Sequence, residues 1–165
     1  MGRKETDIKD ASFVPAHVAL PASWRWVVAV RVPFDWGWSK NRMWAARSGT
    51  HARRLTDPAR ARRSLLALHL KRELSRVRAN PGASGEVARK RLGKDGSGHA
   101  IWFGIHVRLP DRKGDALNAM DLVADAIQDA TGIDDRHYQL AGLTWEISPE
   151  TRKEPSMLVW VGEGA

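Results

Sequence analysis

Apolar residues recur at alternate positions in some stretches of the chain and at every third or fourth position in others. Trp24 to Val32 alternates with β-branched residues and predicts a first strand, ended by Pro33. His99 to Leu109 is the clearest strand, with Ile101, Phe103, Ile105, Val107 and Leu109 on one face. Pro110 ends it. Thr56-Asp57-Pro58 joins a capping side chain to a first-turn proline, which predicts a helix running to about Arg78. Leu66, Leu70, Leu74 and Val77 form its apolar stripe, Arg62, Arg63, Lys71 and Arg72 lie largely off it, and Asn80-Pro81-Gly82 stops it. A second helix is predicted over 116–131, with Leu117, Met120, Ala124, Ile127 and Thr131 as its buried stripe.

Tyr138 to Ile147 and Met157 to Val161 read as two further strands, joined by the turn-forming Ser148-Pro149-Glu150. The order β, α, β, α, β, β predicts an α+β domain, a small mixed sheet with two main helices packed on it. Residues 1–23, polar and then rich in Pro and Ala, read as a flexible arm, which leaves 24–165 as the folded domain. The Gly-rich, basic stretch 80–98 reads as a mobile loop.

Composition narrows the class. A chain of 165 residues is long enough to bury a core as one domain. Cysteine is absent, so disulfide frameworks and thiolate zinc sites are excluded. No apolar run is long enough to span a bilayer, and Met1 to Glu5 lacks the apolar core of a signal peptide; a cytoplasmic protein without membrane contact is expected. Charge changes the picture more. Residues 1–110 carry 22 Lys/Arg against 8 Asp/Glu, whereas residues 111–165 carry 5 against 11. A basic body with a separate acidic stretch points to a polyanionic partner, most plausibly nucleic acid.

The acids concentrate between Leu109 and Arg136. A short basic turn, Arg112-Lys113, precedes Asp115 at the entrance of the second helix, where the helix dipole favours an anion. Asn118, Asp121 and Asp125 share a face opposite the apolar stripe, Asp129 continues the acidic side, and Asp134 and Asp135 follow the helix. Mg²⁺ takes oxygen ligands, commonly one to three carboxylates with water and phosphate, so carboxylates beside lysines and arginines suit a divalent-metal nuclease. The plainer reading is an acidic helix face that solvates the helix and caps its ends. A helix of ~16 residues is ~24 Å long, so Asp134 and Asp135 join Asp115 only if the chain folds back. Ser39-Lys40-Asn41-Arg42 and Arg112-Lys113 offer phosphate-contacting groups on loops, and Trp36, Trp38 and Trp44 offer rings for exposed bases or for packing. His99 and His106 point to opposite faces of one strand, and His137 is a further candidate for touching phosphate or water.

In that order the elements resemble the RusA family of Holliday-junction resolvases, common in bacteriophages and prophages. The resemblance rests on Ser39-Lys40-Asn41-Arg42 after a proline-ended strand, on Pro110-Asp111-Arg112-Lys113 with Asp115 and Asn118, and on Asp125-Ala126-Ile127 running to Gly132-Ile133-Asp134-Asp135-Arg136. It covers roughly residues 26–147. The resemblance implies a homodimeric, Mg²⁺-dependent endodeoxyribonuclease, with Mn²⁺ as a substitute ion. Such an enzyme binds four-way DNA junctions and cuts two strands symmetrically by metal-assisted hydrolysis. By position, Asp115 matches the family's first metal-binding Asp and Asp135 the late one, with Asp134 beside it. Lys40, Asn41, Arg42, Arg47, Arg112, Lys113, Asn118 and Arg136 are the DNA-contacting candidates, and Lys113 also a catalytic one.

Two departures from the family pattern carry consequences. The pattern Asp-x-Asp-Asn reads Asp115-Ala116-Leu117-Asn118 here, and a lysine common three residues after the Asn is Asp121. Leucine cannot ligate metal, so Asp121 stands as a substitute ligand one turn on. The alternatives are a catalytically degraded, junction-binding protein on the same scaffold, and an assembly protein whose basic surface meets an acidic partner. There is no cysteine nucleophile, Gly-x-Ser-x-Gly or Walker-type loop to support other catalysis.

Overall fold

A computed structural model of the chain describes residues 26–39, 44–46, 53–79, 100–112 and 116–164. The arm at 1–23 and the loop at 80–98 lie outside the described residues. Four strands make the main sheet: β1 (Trp26–Pro33), β4 (Ala100–Arg108), β5 (Tyr138–Glu146) and β6 (Ser156–Gly164), in the order β1-β6-β4-β5. β6 is antiparallel to both β1 and β4, and β5 is parallel to β4. The sheet is therefore mixed, and with its two long helices the architecture is α+β. Two short strands, β2 (Trp44–Ala46) and β3 (Arg53–Leu55), pair with each other between the first strand and the first helix, where no strand was expected.

Period-two patterning explains the sheet. Val28, Val30 and Val32 of β1 share a face with Met157, Val159 and Val161 of β6 and with Ile101, Phe103, Ile105 and Val107 of β4. That face carries the helices. Leu158 and Trp160 turn to the other face and are buried too. There the indole of Trp160 lies across Gly104, where a Cβ would overlap it. Glycine at 104 is thus required by a side chain on the neighbouring strand.

α1 (Asp57–Ala79) starts where expected, with Thr56 Oγ1 accepting from the Ala59 N–H at 3.4 Å. Ala59, Leu66, Ala67, Leu70 and Leu74 are buried along one stripe, and the helix packs against β1 and the second long helix. α2 (Met120–Thr131) ends at Gly132, which takes a left-handed conformation at φ 76° and donates its N–H to Gln128 O at 2.8 Å.

The second helix departs from its expected phase. Ala116–Ala119 is a 3₁₀ turn, and α-helix begins only at Met120. The residues fully buried are Ala116, Ala119, Leu122, Val123, Ala126 and Ile127, whereas Leu117 is 52% exposed and Met120, Ala124 and Thr131 are half-buried. Of the expected stripe only Ile127 is in the core. A 3₁₀ turn advances three residues per turn rather than 3.6, and α2 packs both against α1 and into the core under the sheet, so its buried arc is rotated and wide. The link expected to be a turn at Ser148-Pro149-Glu150 is a short helix, α3 (Pro149–Lys153).

Candidate functional site

Because β1 and β4 are both antiparallel to β6, they run in the same direction, and β5 runs with them. The chain therefore leaves β1, β4 and β5 at one end of the sheet. Ligands of α/β sheets commonly bind at that end, where loops diverge. Three segments meet here. The segment after β1 makes a 3₁₀ turn at Trp36–Trp38, capped by Asp35, whose carboxylate accepts from the Gly37 N–H at 2.7 Å and from Arg62 of α1. The segment after β4 is Leu109 to Arg112. The link after β5 contains α3.

These segments are bonded to one another. Trp36 Nε1 donates to Asp111 Oδ1 at 3.1 Å, joining the first segment to the second. Leu109 N donates to Glu146 O at 3.0 Å, and the buried Thr151 hydroxyl donates to Leu109 O at 3.0 Å, joining the second to the third. Phe34 N donates to Pro155 O at 3.1 Å, and Ser148 and Thr151 cap α3 reciprocally.

The aromatic candidates divide. Trp38 is fully buried, with its Nε1 donating to Pro33 O at 3.2 Å, so it packs rather than stacks on a ligand. Trp36 is half-buried edge-on to Phe34. Trp44 stays exposed. Of the basic and polar candidates, Arg112 and Arg136 are exposed and Asn118 is half-buried. Lys40, Asn41, Arg42, Arg47, Lys113 and Asp115 lie outside the described residues. His106 is buried, sharing a 2.8 Å hydrogen bond with Thr144, while Arg108 donates to Glu146 at 3.1 Å on the same face.

The acidic side of α2 is partly consumed by packing. Arg63 of α1 donates to both oxygens of Asp129, at 2.6 and 2.7 Å, and to Asp125 at 3.2 Å. The bond from Arg63 holds the Asp129 carboxyl below its ordinary range and raises the Arg63 guanidinium. Burial pushes Asp125 up, Arg63 opposes this, and the charges of Asp129, Asp135 and Asp121 add to it. These four aspartates share one electrostatic neighbourhood, with Arg63 already serving as a cation for two of them. Asp121, Asp134 and Asp135 remain exposed oxygen donors. Among the described residues no group of three or more His, Asp or Glu side chains is placed to hold a metal ion.

Asp134 caps the 3₁₀ turn Asp135–His137 that leads into β5, its carboxylate accepting from Arg136 N at 3.1 Å. Arg136 Nε also donates to His137 at 3.1 Å. Tyr138 anchors this corner by donating to Ile133 O at 2.8 Å, and burial pushes its hydroxyl up to about 12. β5 pairs beside β4, the strand that ends near Leu109. The pairing is parallel, though, with Tyr138 opposite Ile101 and Glu146 opposite Arg108. Asp134 and Asp135 therefore enter the sheet at the end remote from Leu109, about 26 Å along β4 at ~3.3 Å per residue.

Sequence reasoning missed Arg63, Asp35 and Asp111 as members of this construction. Their partners lie 62 and 66, 27, and 75 residues away, so no local spacing signals them. No described helix is long and apolar enough to cross a membrane. No protein-family model matches the chain, and no curated protein matches it either.

Proposed function

We propose that the chain is a metal-dependent endodeoxyribonuclease of the RusA kind that resolves four-way DNA junctions. The observation that carries this reading is the Trp36–Asp111 bond. It ties the described segment that runs to Ser39 to the described segment that runs to Arg112. Their parent strands, β1 and β4, end at the same end of the sheet, and a ligand lying across that end is the reading the bond supports.

Asp115, Asp121, Asp134 and Asp135 are the proposed ligands, hard oxygen donors of the kind Mg²⁺ or Mn²⁺ takes, although the fold of one chain does not gather them at one point, since Asp134 and Asp135 enter the sheet at the end remote from Leu109. Such an ion supplies an activated water and neutralises charge on the scissile phosphate. Lys40, Asn41, Arg42, Arg47, Lys113, Arg112, Asn118 and Arg136 hold the DNA backbone, which fits the chain's net charge of +8. Bacterial or phage-infected cytoplasm is the setting this reading implies.

Leu117, exposed where the family pattern has a carboxylate, favours a second reading in which junction binding survives without cleavage. One experiment separates them: a mobile four-way junction incubated with the protein in Mg²⁺, Mn²⁺ or EDTA, with linear duplex as control. Paired symmetric nicks that vanish in EDTA, and fall roughly 100-fold or more in Asp115→Asn and Asp135→Asn, are expected. Tight binding with intact strands in both metals would select the binding-only reading. Neither binding nor nicking would overturn both.

A further inference from the structure

Both long helices pack on one face of the sheet, yet the other face is not open to water. Leu158 and Trp160 of β6 point away from the helices, and the contiguous core that takes in Met157, Val159 and Val161 of the same strand leaves them out. Trp160 is nonetheless 0% exposed and Leu158 4%. Their neighbours across the sheet do not account for this. Trp160 lies in register between Ala29 of β1 and Gly104 of β4, which have almost no side chain to spread over an indole. Trp102, diagonal to it on β4, is itself only half-buried. The cover therefore comes from outside these strands and helices.

The floor sets what the cover must offer. Ala29, Trp102, Gly104, Leu158 and Trp160 carry no charge, and the charged groups of this face, Arg31, Arg108 and Glu146, stand toward the strand-exit end. The indole adds a polar condition. Its Nε1 is buried with no hydrogen-bond partner among the described residues, and Gly104 beneath it has no side chain to supply one. A buried donor of this kind calls for an acceptor, and a free backbone carbonyl is the simplest. An uncharged, apolar segment with unpaired carbonyls meets both conditions. Extended proline-containing segments have that character, and the grooves that recognise them are lined with aromatic rings.

Ala11 to Trp24 is such a segment. It holds no Lys, Arg, Asp or Glu in a chain that is 28% charged, and it carries Phe13, Val14, Val18, Leu20 and Trp24. Pro15 and Pro21 have no N–H to donate, and each favours extended backbone at the residue before it. The segment lies outside the described residues and adjoins them at Trp26, three positions before Ala29 on β1. At ~3.3 Å per residue that is about 10 Å, with one strand spacing of ~4.8 Å more to Trp160, a distance that a few residues of chain cover. The stretch 80–98 joins β4 at the same end but carries six charged residues, Glu86, Arg89, Lys90, Arg91, Lys94 and Asp95. We propose that residues 11–24 dock across the helix-free face as an extended strap, apolar side chains over Leu158 and Trp160 and a backbone carbonyl on Trp160 Nε1. The folded unit then begins near Ala11 rather than at residue 24. This inference stands apart from the nuclease reading.

Hydrogen exchange of two indole N–H groups in the full-length protein tests it. Trp38, whose Nε1 donates to Pro33 O and which is buried in the core, is the reference. Both indoles are expected to be protected in the wild type. Val18→Asp/Leu20→Asp places charge on the strap, so Trp160 should exchange at least about tenfold faster while Trp38 is unchanged. A synthetic peptide of residues 11–24 should restore the protection of Trp160 in that variant. The absence of cysteine allows a second readout. Leu20→Cys/Ala29→Cys should form an intrachain disulfide at least about tenfold faster than Leu20→Cys/Leu68→Cys, whose second position is exposed on α1. A Trp160 indifferent to the charged variant, or equal oxidation rates, would overturn the strap. Protection of Trp160 that grows with protein concentration would also overturn it, by assigning the cover to a second copy. If both indoles lose protection together, the variant has lost its fold and the disulfide pair decides.

Discussion

Arg63 is the residue on which the acidic side of α2 depends. It reaches Asp125 and Asp129 with side chains that are about a quarter to two-fifths exposed, so the pairs are screened only in part. Arg63→Ala leaves Asp125 partly buried without its cation and should cost about 2–3 kcal/mol, more than a surface ion pair contributes. The pH dependence separates the two acids. Asp129 has a depressed folded value, so its contribution is present above the ordinary carboxylate range and lost as pH falls through that folded value. Asp125 has a raised one, so its contribution favours the folded state below the ordinary range and is lost as pH rises through the raised value. Asp129→Asn should therefore lower stability at neutral pH and flatten the acid loss, whereas Asp125→Asn should cost less at neutral pH. Urea unfolding of the three variants between about pH 3 and 7 checks this, and equal losses for both Asn variants would contradict it. The sequence displayed Asp121, Asp125 and Asp129 as an acidic face, but not that Asp125 and Asp129 pair with Arg63, which is remote in the chain.

At the scale of elements, α1 and β4 were legible because each carries its apolar residues at one period and is bounded by strong stop signals, Pro110 for the strand and Thr56-Asp57-Pro58 for the helix start. α2 was legible in existence but not in phase: its 3₁₀ opening turn and its two packing partners rotate the buried arc away from Leu117. α3 was read as a turn, although Ser148 and Thr151 spell its capping box. That small helix has a use. Thr151 is its buried anchor to Leu109 O, which begins the candidate site. Thr151→Val keeps the shape and removes the bond, leaving a carbonyl unpaired at a cost of about 1–3 kcal/mol. DNA affinity should fall with the loosened Leu109–Arg112 segment while the slope against salt concentration stays unchanged, as filter binding at several salt concentrations would show. A change in slope would mean that phosphate contacts themselves had been lost.

For the whole molecule, the arrangement that matters is the common exit of β1, β4 and β5 at one end of the sheet. Exposed Arg112 stands at that end. Arg112→Ala is expected to weaken binding uniformly across DNA sequences and to lower the salt slope by about one, the signature of a single phosphate contact. Unchanged binding and slope would remove Arg112 from the interface. The reverse end holds Asp134 and Asp135.

What the sequence determined alone was whatever local physics dictates: the strand and helix periods, their breakers, the absence of cysteine chemistry, and the separation of a basic body from an acidic stretch. The α+β class followed from the order of elements. What only the tertiary structure decided was direction and partnership. A strand's pattern is the same whether its neighbour runs parallel or antiparallel, yet that choice sets Asp135 about 26 Å from Leu109 along the sheet. A tryptophan reads alike whether buried, as Trp38 is, or edge-on and bonded to Asp111, as Trp36 is. These outcomes depend on contacts across scores of residues, and those contacts exist only once the sheet has closed.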